Sequence, residues 1–192
     1  MQKIILGSSS PRRKEILSFF KLPFTQVAPK FDEENAPVLS HPHEYALSLA
    51  QGKALSLVNN FKNIPILGAD TVVQKEGIYY AKPQNRAEAV KFLQTFSGQW
   101  QTVVTGLALV KNEYMWTDYE KTQVKFNILS DAMINAYLDH NTWDDKAGGY
   151  SIIGPSSLLI EKIEGCFYNA VGLPCNALYR LLLNASINLW HI

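Results

Sequence analysis

Cysteine is scarce in this chain of 192 residues: Cys166 and Cys175 are the only two, and they form no CxxC pair. The first residues lack the pattern of a secretory signal, and no apolar run reaches the length that spans a membrane. These absences predict a protein of the reducing cytoplasm that has no membrane partner.

A surplus of charge of one sign is also missing, because the formal net charge is only +1. Proteins that hold long nucleic acids or anionic membranes do so with a dense field of Lys and Arg that releases counterions. The composition therefore excludes polymeric nucleic acid as the partner. Any anionic ligand must be small and held locally.

Several well-known catalytic signatures are absent as well. The chain has no GxxxxGK[ST], so the segment "GSSSPRRK" is not the phosphate-cradling loop of nucleotide kinases. It also has no GxSxG, GxGxxG or HExxH motif. These absences exclude the commonest hydrolase, dinucleotide-binding and zinc-protease signatures.

The composition nevertheless suffices for one sizeable core, since 47% of the residues are apolar and 11% are aromatic. No repeat, low-complexity tract or long linker divides the chain, so we expect one domain over residues 1–192. Patterns typical of strands alternate with patterns typical of helices, and a long hairpin is predicted around residues 112–114. The predicted fold class is α/β, a mixed twisted sheet with flanking helices.

The segment "SPRRKEIL" predicts a helix with Ser10 as its N-cap and proline in the first turn. Arg12 and Arg13 then lie at the positive end of the helix dipole, where each unpaired cation costs roughly 0.3–1 kcal/mol. We interpret them as ligands of a polyphosphate, and expect the free protein to be equally or more stable without them. The alternative is a pair with Glu15 on a solvated helix face.

Three further residues break the pattern of their surroundings. Asp70 interrupts an apolar strand, Lys53 falls on the apolar face of its own helix, and Lys82 ends a strand. Taken singly, each has an ordinary explanation. Asp70 would cap a neighbouring loop, and Lys53 would extend its ammonium into water along a packed stem.

Taken together with Arg12 and Arg13, these residues indicate a phosphate site that includes Mg²⁺. Guanidinium groups and ammonium groups bind phosphate oxygens, whereas carboxylates bind a hard divalent cation. Asp70 is suited to that cation, and Glu33 in the polar loop "FDEEN" would supply a further carboxylate.

Six sequence blocks, in this order and spacing, resemble the Maf family of nucleoside triphosphate pyrophosphatases, which is associated with septum formation. They are "LGSSSPRRKEIL", "LGADTVV", "AKPQNRAEAVKFLQTFSG", "VVTGLAL", "DKAGGYSIIG" and "NAVGLP". The resemblance extends from Leu6 to Pro174. The SxSPRR, GADT and KAGxYxIxG blocks are together highly specific.

The resemblance implies two lobes around a deep cleft, similar to the inosine triphosphate pyrophosphatases, and often a homodimer. Such enzymes cut a nucleoside triphosphate between its α- and β-phosphates with a divalent metal cation, Mg²⁺ or alternatively Mn²⁺ or Co²⁺. Carried over by position, Asp70 matches the aspartate taken as the proton acceptor, and Glu33 matches the acidic residue of the following loop. We predict Asp70 and Glu33 as the ligands of the metal cation. The implied substrate-binding residues are Arg12, Arg13, Lys53, Lys82, Thr71 and Ile153.

Three positions depart from the family pattern. Gln101 stands where histidine is common, and Ala81 stands where glycine is usual. Ile153 stands where the subgroup acting on thymidine and uridine triphosphates typically has glutamine. We predict those pyrimidine nucleotides, modified ones included, as substrates, with broader base tolerance than in glutamine-bearing relatives. The alternatives are a pyrophosphatase for 7-methylguanosine triphosphate or another modified purine nucleotide, and a non-catalytic nucleotide-sensing regulator of cell division.

Overall fold

The computed structural model of the chain describes residues 3–190, in which a seven-stranded sheet is flanked by helices. The strands are β1 (Ile4–Gly7), β2 (Phe24–Val27), β3 (Ile66–Lys75), β4 (Ile78–Tyr79), β5 (Trp100–Lys111), β6 (Tyr114–Phe126) and β7 (Ile160–Glu164). The α-helices are α1 (Pro11–Leu17), α2 (Pro42–Leu55), α3 (Arg86–Phe96), α4 (Asp131–His140), α5 (Phe167–Val171) and α6 (Cys175–Asn184). Short 3₁₀ helices lie at Ala147–Gly149 and Gly154–Leu159.

The strand order is β2-β1-β3-β5-β6-β7, and β4 pairs with one edge of β3. Strand β1 lies between β2 and β3 and runs parallel to both, whereas β3, β5, β6 and β7 are successively antiparallel. The sheet is therefore mixed, and the predicted α/β class with flanking helices is confirmed. The predicted long hairpin is β5 and β6, which pair from Trp100 opposite Lys125 to Lys111 opposite Tyr114.

Local capping signals place the helix starts. The side chains of Ser10, Asn85 and Ser130 each accept a hydrogen bond from the backbone N–H three residues later, at the start of α1, α3 and α4. No helix within residues 3–190 has the length and apolar character needed to cross a membrane.

Two elements are shorter than their sequence patterns predict. Helix α2 ends at Leu55, although the apolar spacing continues to Phe61. Strand β4 ends at Tyr79, because the next two carbonyls, of Tyr80 and Ala81, accept hydrogen bonds from the N–H of Gly148 instead of extending a ladder.

Helix α2 packs unusually close to the sheet because two strand residues under it lack a side chain. A Cβ on Gly68 of β3 would lie 2.2 Å from the carbonyl oxygen of Ala50, and one on Gly106 of β5 would lie 2.6 Å from that of Ala46. Neither approach tolerates a methyl group. The two glycines therefore allow α2 to carry its side chains directly over the centre of β3.

One face of strand β3 contributes residues to two apolar clusters. Leu67 and Ala69 belong to a cluster formed with α1 and α6, whereas Val73 belongs to a second cluster formed with α3 and α4. Because strand side chains alternate between faces, Thr71 lies on the same face between the two clusters, and Asp70 faces α2. This division agrees with the two lobes that the resemblance implies.

Candidate active site

The candidate site lies where β3 loses its neighbour along one edge. Strand β1 pairs with β3 only as far as Gly7 opposite Gly68, and β4 begins to pair with β3 at Gln74. Asp70 and Thr71 fall between these two pairings. Sites in α/β proteins commonly form at the carboxyl ends of parallel strands, and here β1 continues from that end into α1.

Lys53 and Asp70 form a buried ion pair at this gap. The ammonium of Lys53 on α2 contacts Asp70 Oδ1 and also lies 2.9 Å from Glu33 Oε1. Lys53 is 5% exposed and Asp70 is 7% exposed, whereas the Glu33 side chain is half exposed. Lys53 therefore does not extend into water, and Asp70 does not cap a loop. The two ordinary explanations are wrong.

Burial of Asp70 opposes the ionisation of its carboxyl group, whereas the neighbouring cations favour it. Burial raises the pKa of the Asp70 carboxyl above its ordinary value of 3.8, and the negative charge of Glu33 adds to that effect. The charges of Lys53 and Arg13 lower the pKa but only in part. A carboxylate whose pKa is raised above its ordinary value is a stronger base, and is therefore better suited to accept a proton from water.

The first testable consequence is the titration of Asp70 itself. We expect its carboxyl ¹³C signal in the metal-free protein to titrate above pH 3.8. Glu33→Gln removes the neighbouring negative charge, and Asp70 then remains the only carboxylate paired with Lys53. The midpoint of the Asp70 titration should therefore move to lower pH. Asp70→Asn identifies the signal by its loss. A midpoint that stays fixed or rises in Glu33→Gln would contradict this electrostatic description.

Arg13 is buried and held by three hydrogen bonds. Its Nε donates to the carbonyl oxygen of Gly172 at 2.8 Å, Nη1 donates to Ser8 Oγ at 3.2 Å, and Nη2 donates to Thr71 Oγ1 at 3.0 Å. Burial lowers the pKa of the guanidinium, while Asp70 and Glu33 oppose that effect. These contacts reverse the expectation from the sequence: we now expect the free protein to be less stable without Arg13, because its removal leaves the buried carbonyl of Gly172 without this donor.

Arg12 points away from this cluster. Its Nη1 lies 3.4 Å from Asp145 Oδ2, and Asp145 also contacts the ammonium of Lys146. Burial alone would raise the pKa of Asp145, but Lys146 and Arg12 outweigh burial and lower it. The alternative partner suggested by the sequence, Glu15, is not the one that Arg12 contacts.

Arg12 and Ile153 share a separate pocket of about 250 Å³. Its other lining residues are Asn141, Thr142, Lys146, Ser151, Pro155 and Ser156. Ile153 is partly exposed and precedes the second 3₁₀ helix, so its apolar side chain borders a pocket whose remaining lining is largely polar. The structure thus separates the predicted residues into a buried cluster and this pocket.

Lys82 joins neither group by a side-chain contact within residues 3–190. It is exposed and follows Ala81, whose carbonyl is held by Gly148. Gln101, one of the three departures from the family pattern, is buried, and its Nε2 donates to the hydroxyl of Tyr150. The buried Oε1 of Gln101 has no hydrogen-bond partner in the part of the chain that the structure describes.

Comparison of the amino-acid sequence with known proteins identifies its family. The family described as Maf-like protein matches residues 3–185. The chain belongs to the Maf family. A Chlamydia caviae relative named dTTP/UTP pyrophosphatase is 44% identical over 190 residues, covering 98% of this chain and 96% of the relative. A relative of the same name from Bacillus anthracis is 40% identical over 191 residues, covering 100% of both.

Among solved structures, similarity is weaker. A nucleoside-triphosphatase / dITP/XTP pyrophosphatase from Mycobacterium abscessus aligns over 67% of this chain and 76% of its own, with 15% identity and a TM-score of 0.43.

Two carboxylates of this Maf family member converge on one point. Asp70 and Glu33 both direct an oxygen at the ammonium of Lys53, so their oxygens already converge on positive charge. Carboxylate oxygens are the donors that Mg²⁺ prefers. Among residues 3–190 no group of three or more His, Cys, Asp and Glu side chains is placed to hold a metal ion. A cation held by Asp70 and Glu33 would therefore need water and substrate oxygens to complete its coordination.

Sequence reasoning missed the residues that hold Arg13. Ser8, Thr105, Asn169 and Gly172 are joined to Arg13 directly or through Thr71. All four stand in the quoted family blocks. The available signal was the presence of polar residues in otherwise apolar strand and helix segments.

Proposed function

We propose that this chain hydrolyses nucleoside triphosphates between the α- and β-phosphates, releasing the monophosphate and pyrophosphate, with dTTP and UTP as substrates. The observation that carries the proposal is the buried cluster of Asp70, Lys53 and Arg13 in a chain 40–44% identical, over almost its whole length, to relatives named dTTP/UTP pyrophosphatase. The cluster unites a carboxylate of raised pKa with two cations, as hydrolysis of an anionic substrate requires.

Asp70 acts on the attacking water in this proposal. Its Oδ1 accepts a hydrogen bond from Lys53, and no hydrogen bond to Oδ2 exists within residues 3–190. Oδ2 is therefore the oxygen that orients the water and takes its proton. The contact between Lys53 and Oδ1 fixes the orientation of the Asp70 carboxylate, so that Oδ2 points in one direction.

Lys53 and Arg13 stabilise negative charge on the phosphates. Arg13 uses three of its five N–H groups on the protein, which leaves one on Nη1 and one on Nη2 for phosphate oxygens. Charge that builds on the pyrophosphate leaving group strengthens these contacts in the transition state relative to the ground state. Lys82 and Arg12 contribute further positive charge from outside the buried cluster.

Asp70 and Glu33 would hold the divalent cation, Mg²⁺ with Mn²⁺ or Co²⁺ as alternatives. Such a cation, when bound, neutralises phosphate charge and lowers the pKa of a bound water. Lys53 would then lie beside both carboxylates and face the phosphates.

The test of the proposed function is a hydrolysis screen with Mg²⁺ over dTTP, UTP, CTP, GTP and 7-methylguanosine triphosphate. We expect pyrophosphate and the nucleoside monophosphate, with the highest kcat/KM for dTTP and UTP. Release of inorganic phosphate and a diphosphate would contradict the cleavage position. Preference for 7-methylguanosine triphosphate would favour the modified-purine alternative, and nucleotide binding without any hydrolysis would favour a sensing role.

Ile153 tests how the base is chosen. Glutamine can both donate to and accept from the edge of uracil or thymine, whereas isoleucine offers only apolar contact. Ile153→Gln is expected to raise the ratio of kcat/KM for UTP over GTP about tenfold, the scale of one added neutral hydrogen bond. The matched control is Ile128→Gln, which changes an exposed isoleucine outside the pocket. A wild-type chain that already strongly favours UTP and dTTP, with a ratio unchanged in Ile153→Gln, would remove Ile153 from base selection.

Three further expectations from the sequence stay predictions. They are the cytoplasmic location, the homodimer and the association with septum formation. Cys166 and Cys175 are both free thiols, which is compatible with a reducing compartment.

A further inference from the structure

A chain of hydrogen bonds connects Arg13 to the centre of the sheet. Arg13 Nη2 donates to Thr71 Oγ1 at 3.0 Å, the hydroxyls of Thr71 and Thr105 are 2.8 Å apart, and Thr105 Oγ1 donates to the carbonyl oxygen of Asn169 at 3.0 Å. Each hydroxyl has one proton to give. Because Thr105 gives its proton to a carbonyl, Thr71 must donate to Thr105. The direction of the whole chain is therefore fixed from Arg13 to Asn169.

Asn169 is a rigid end point for this chain. It has no exposed surface, and its Oδ1 accepts from the backbone N–H of Thr105 at 2.9 Å. Its Nδ2 donates to the carbonyl of Val103 at 3.0 Å and to Thr122 Oγ1 at 2.9 Å. The side chain thus bonds an N–H and a C=O two residues apart on β5, as a backbone peptide of a neighbouring strand would, and locks α5 to β5 and β6.

A second path returns from Asn169 to Arg13. The N–H of Gly172 donates to the carbonyl of Asn169 at 3.0 Å, and the carbonyl of Gly172 accepts from Arg13 Nε at 2.8 Å. The two paths close a ring that contains Arg13, Thr71, Thr105, Asn169 and Gly172. Guanidinium orientation is consequently set from both sides, at Nε and at Nη2.

Packing alone does not require a hydroxyl group at position 105. Thr105 has no exposed surface, and its strand neighbours Val103, Val104 and Leu107 belong to the apolar core. A valine has nearly the same shape and would avoid the cost of burying a hydroxyl. What valine cannot do is accept from Thr71 and donate to Asn169.

We infer that Thr105, anchored by Asn169, is a positioning residue that holds the Arg13 guanidinium in the single orientation in which its two remaining N–H groups bind the phosphates. The inference rests on the proposed function for the identity of the anion. Thr105 acts through Thr71 and Arg13 and touches no reacting atom. Hydrogen bonds aligned in one direction strengthen one another, so loss of one link weakens the hold at Arg13.

The experiment compares Thr105→Val, which removes the hydroxyl, with Thr105→Ser, which keeps it. Two quantities are measured on each folded variant: kcat/KM for pyrophosphate release from UTP, and the rate of rotation about the Nε–Cζ bond of Arg13 from its ¹⁵N-edited guanidinium signals. We expect kcat/KM to fall about tenfold in Thr105→Val and rotation to speed up by about the same factor, the scale of one hydrogen bond. Thr105→Ser should stay close to wild type in both.

Thr102→Val is the matched control, because Thr102 lies on the same strand and its hydroxyl pairs with Gln123 outside the ring. It should change neither quantity. Should Thr105→Val not fold, Thr71→Val breaks the same chain one link nearer Arg13 and is expected to speed rotation equally.

The rotation measurement needs no catalysis, so it separates the two proposals. A wild type that hydrolyses no nucleotide, with rotation accelerated in Thr105→Val, overturns the proposed function and leaves the positioning of Arg13 supported. Rotation unchanged in the folded variants overturns the positioning role whether or not the enzyme is active. Equal loss of kcat/KM in Thr105→Val and Thr105→Ser also overturns it, because the hydroxyl would then be irrelevant.

Discussion

Asp70→Asn is expected to lower kcat for pyrophosphate release by at least about 10²-fold, the lower end of general acid–base catalysis. Asparagine keeps the size of the side chain but can neither take a proton nor supply a carboxylate to a metal cation. The fold should survive, because Lys53 retains Glu33 as its counter-charge at 2.9 Å. The measurement is kcat with dTTP or UTP, together with the melting temperature of each protein.

Asp139→Asn provides the control for a change of charge alone. Asp139 lies on the exposed face of α4, where it pairs with Arg86, and it is outside the candidate site. This variant should keep wild-type kcat. If folded Asp70→Asn released pyrophosphate at a near-normal rate, Asp70 would have no part in proton transfer.

Arg13→Gln is the second change with a large expected effect. Loss of a preorganised charge donor costs roughly 2.7–4 kcal/mol of barrier, so kcat should fall about 10²–10³-fold. The free protein should also lose about 1–3 kcal/mol of unfolding free energy, because the buried carbonyl of Gly172 is left without its donor. Activity and urea unfolding, measured on the same samples, test both parts.

Substitution of the neighbouring Arg12 separates the effect of losing a charge from the effect of losing the buried contacts of Arg13. Arg12→Gln removes the same charge from the same helix turn, but Arg12 is partly exposed and pairs with a half-exposed Asp145. Exposed pairs contribute little, so its unfolding free energy should change by less than about 1 kcal/mol. Arg86→Gln on α3 removes an exposed arginine outside the candidate site and is the control for the activity measurement. Equal stabilities of the Arg12 and Arg13 variants would contradict the description of Arg13 as a buried anchor.

The parts of the fold that follow local rules could be predicted from the sequence. Ser10, Asn85 and Ser130 cap helices because their side chains reach a backbone N–H three residues away, and that interaction is visible in the sequence itself. The ends of α2 and β4 could not be predicted equally well. They depend on tertiary contacts such as the one from Gly148 to the carbonyls after β4.

The buried charges were also visible in the sequence, because a carboxylate in an apolar strand and a lysine on an apolar helix face contradict their surroundings. Asp70 and Lys53 prove to be partners across a separation of 17 residues. The environment of Arg13 was not visible. Its acceptor Gly172 is 159 positions away, and glycine carries no chemical signal of its own. Arg12 likewise finds Asp145 across 133 positions, although Glu15 is closer along the chain.

Hydrolysis of UTP in H₂¹⁸O tests most directly whether water attacks the α-phosphorus. With Mg²⁺ present, we expect UMP that carries one ¹⁸O atom and pyrophosphate that carries none, as measured by mass spectrometry. Label in the pyrophosphate would place the attack on the β-phosphorus, and UDP with labelled inorganic phosphate would place it on the γ-phosphorus. Either result would contradict the assignment of the chain as a pyrophosphatase that releases the monophosphate by attack at the α-phosphorus.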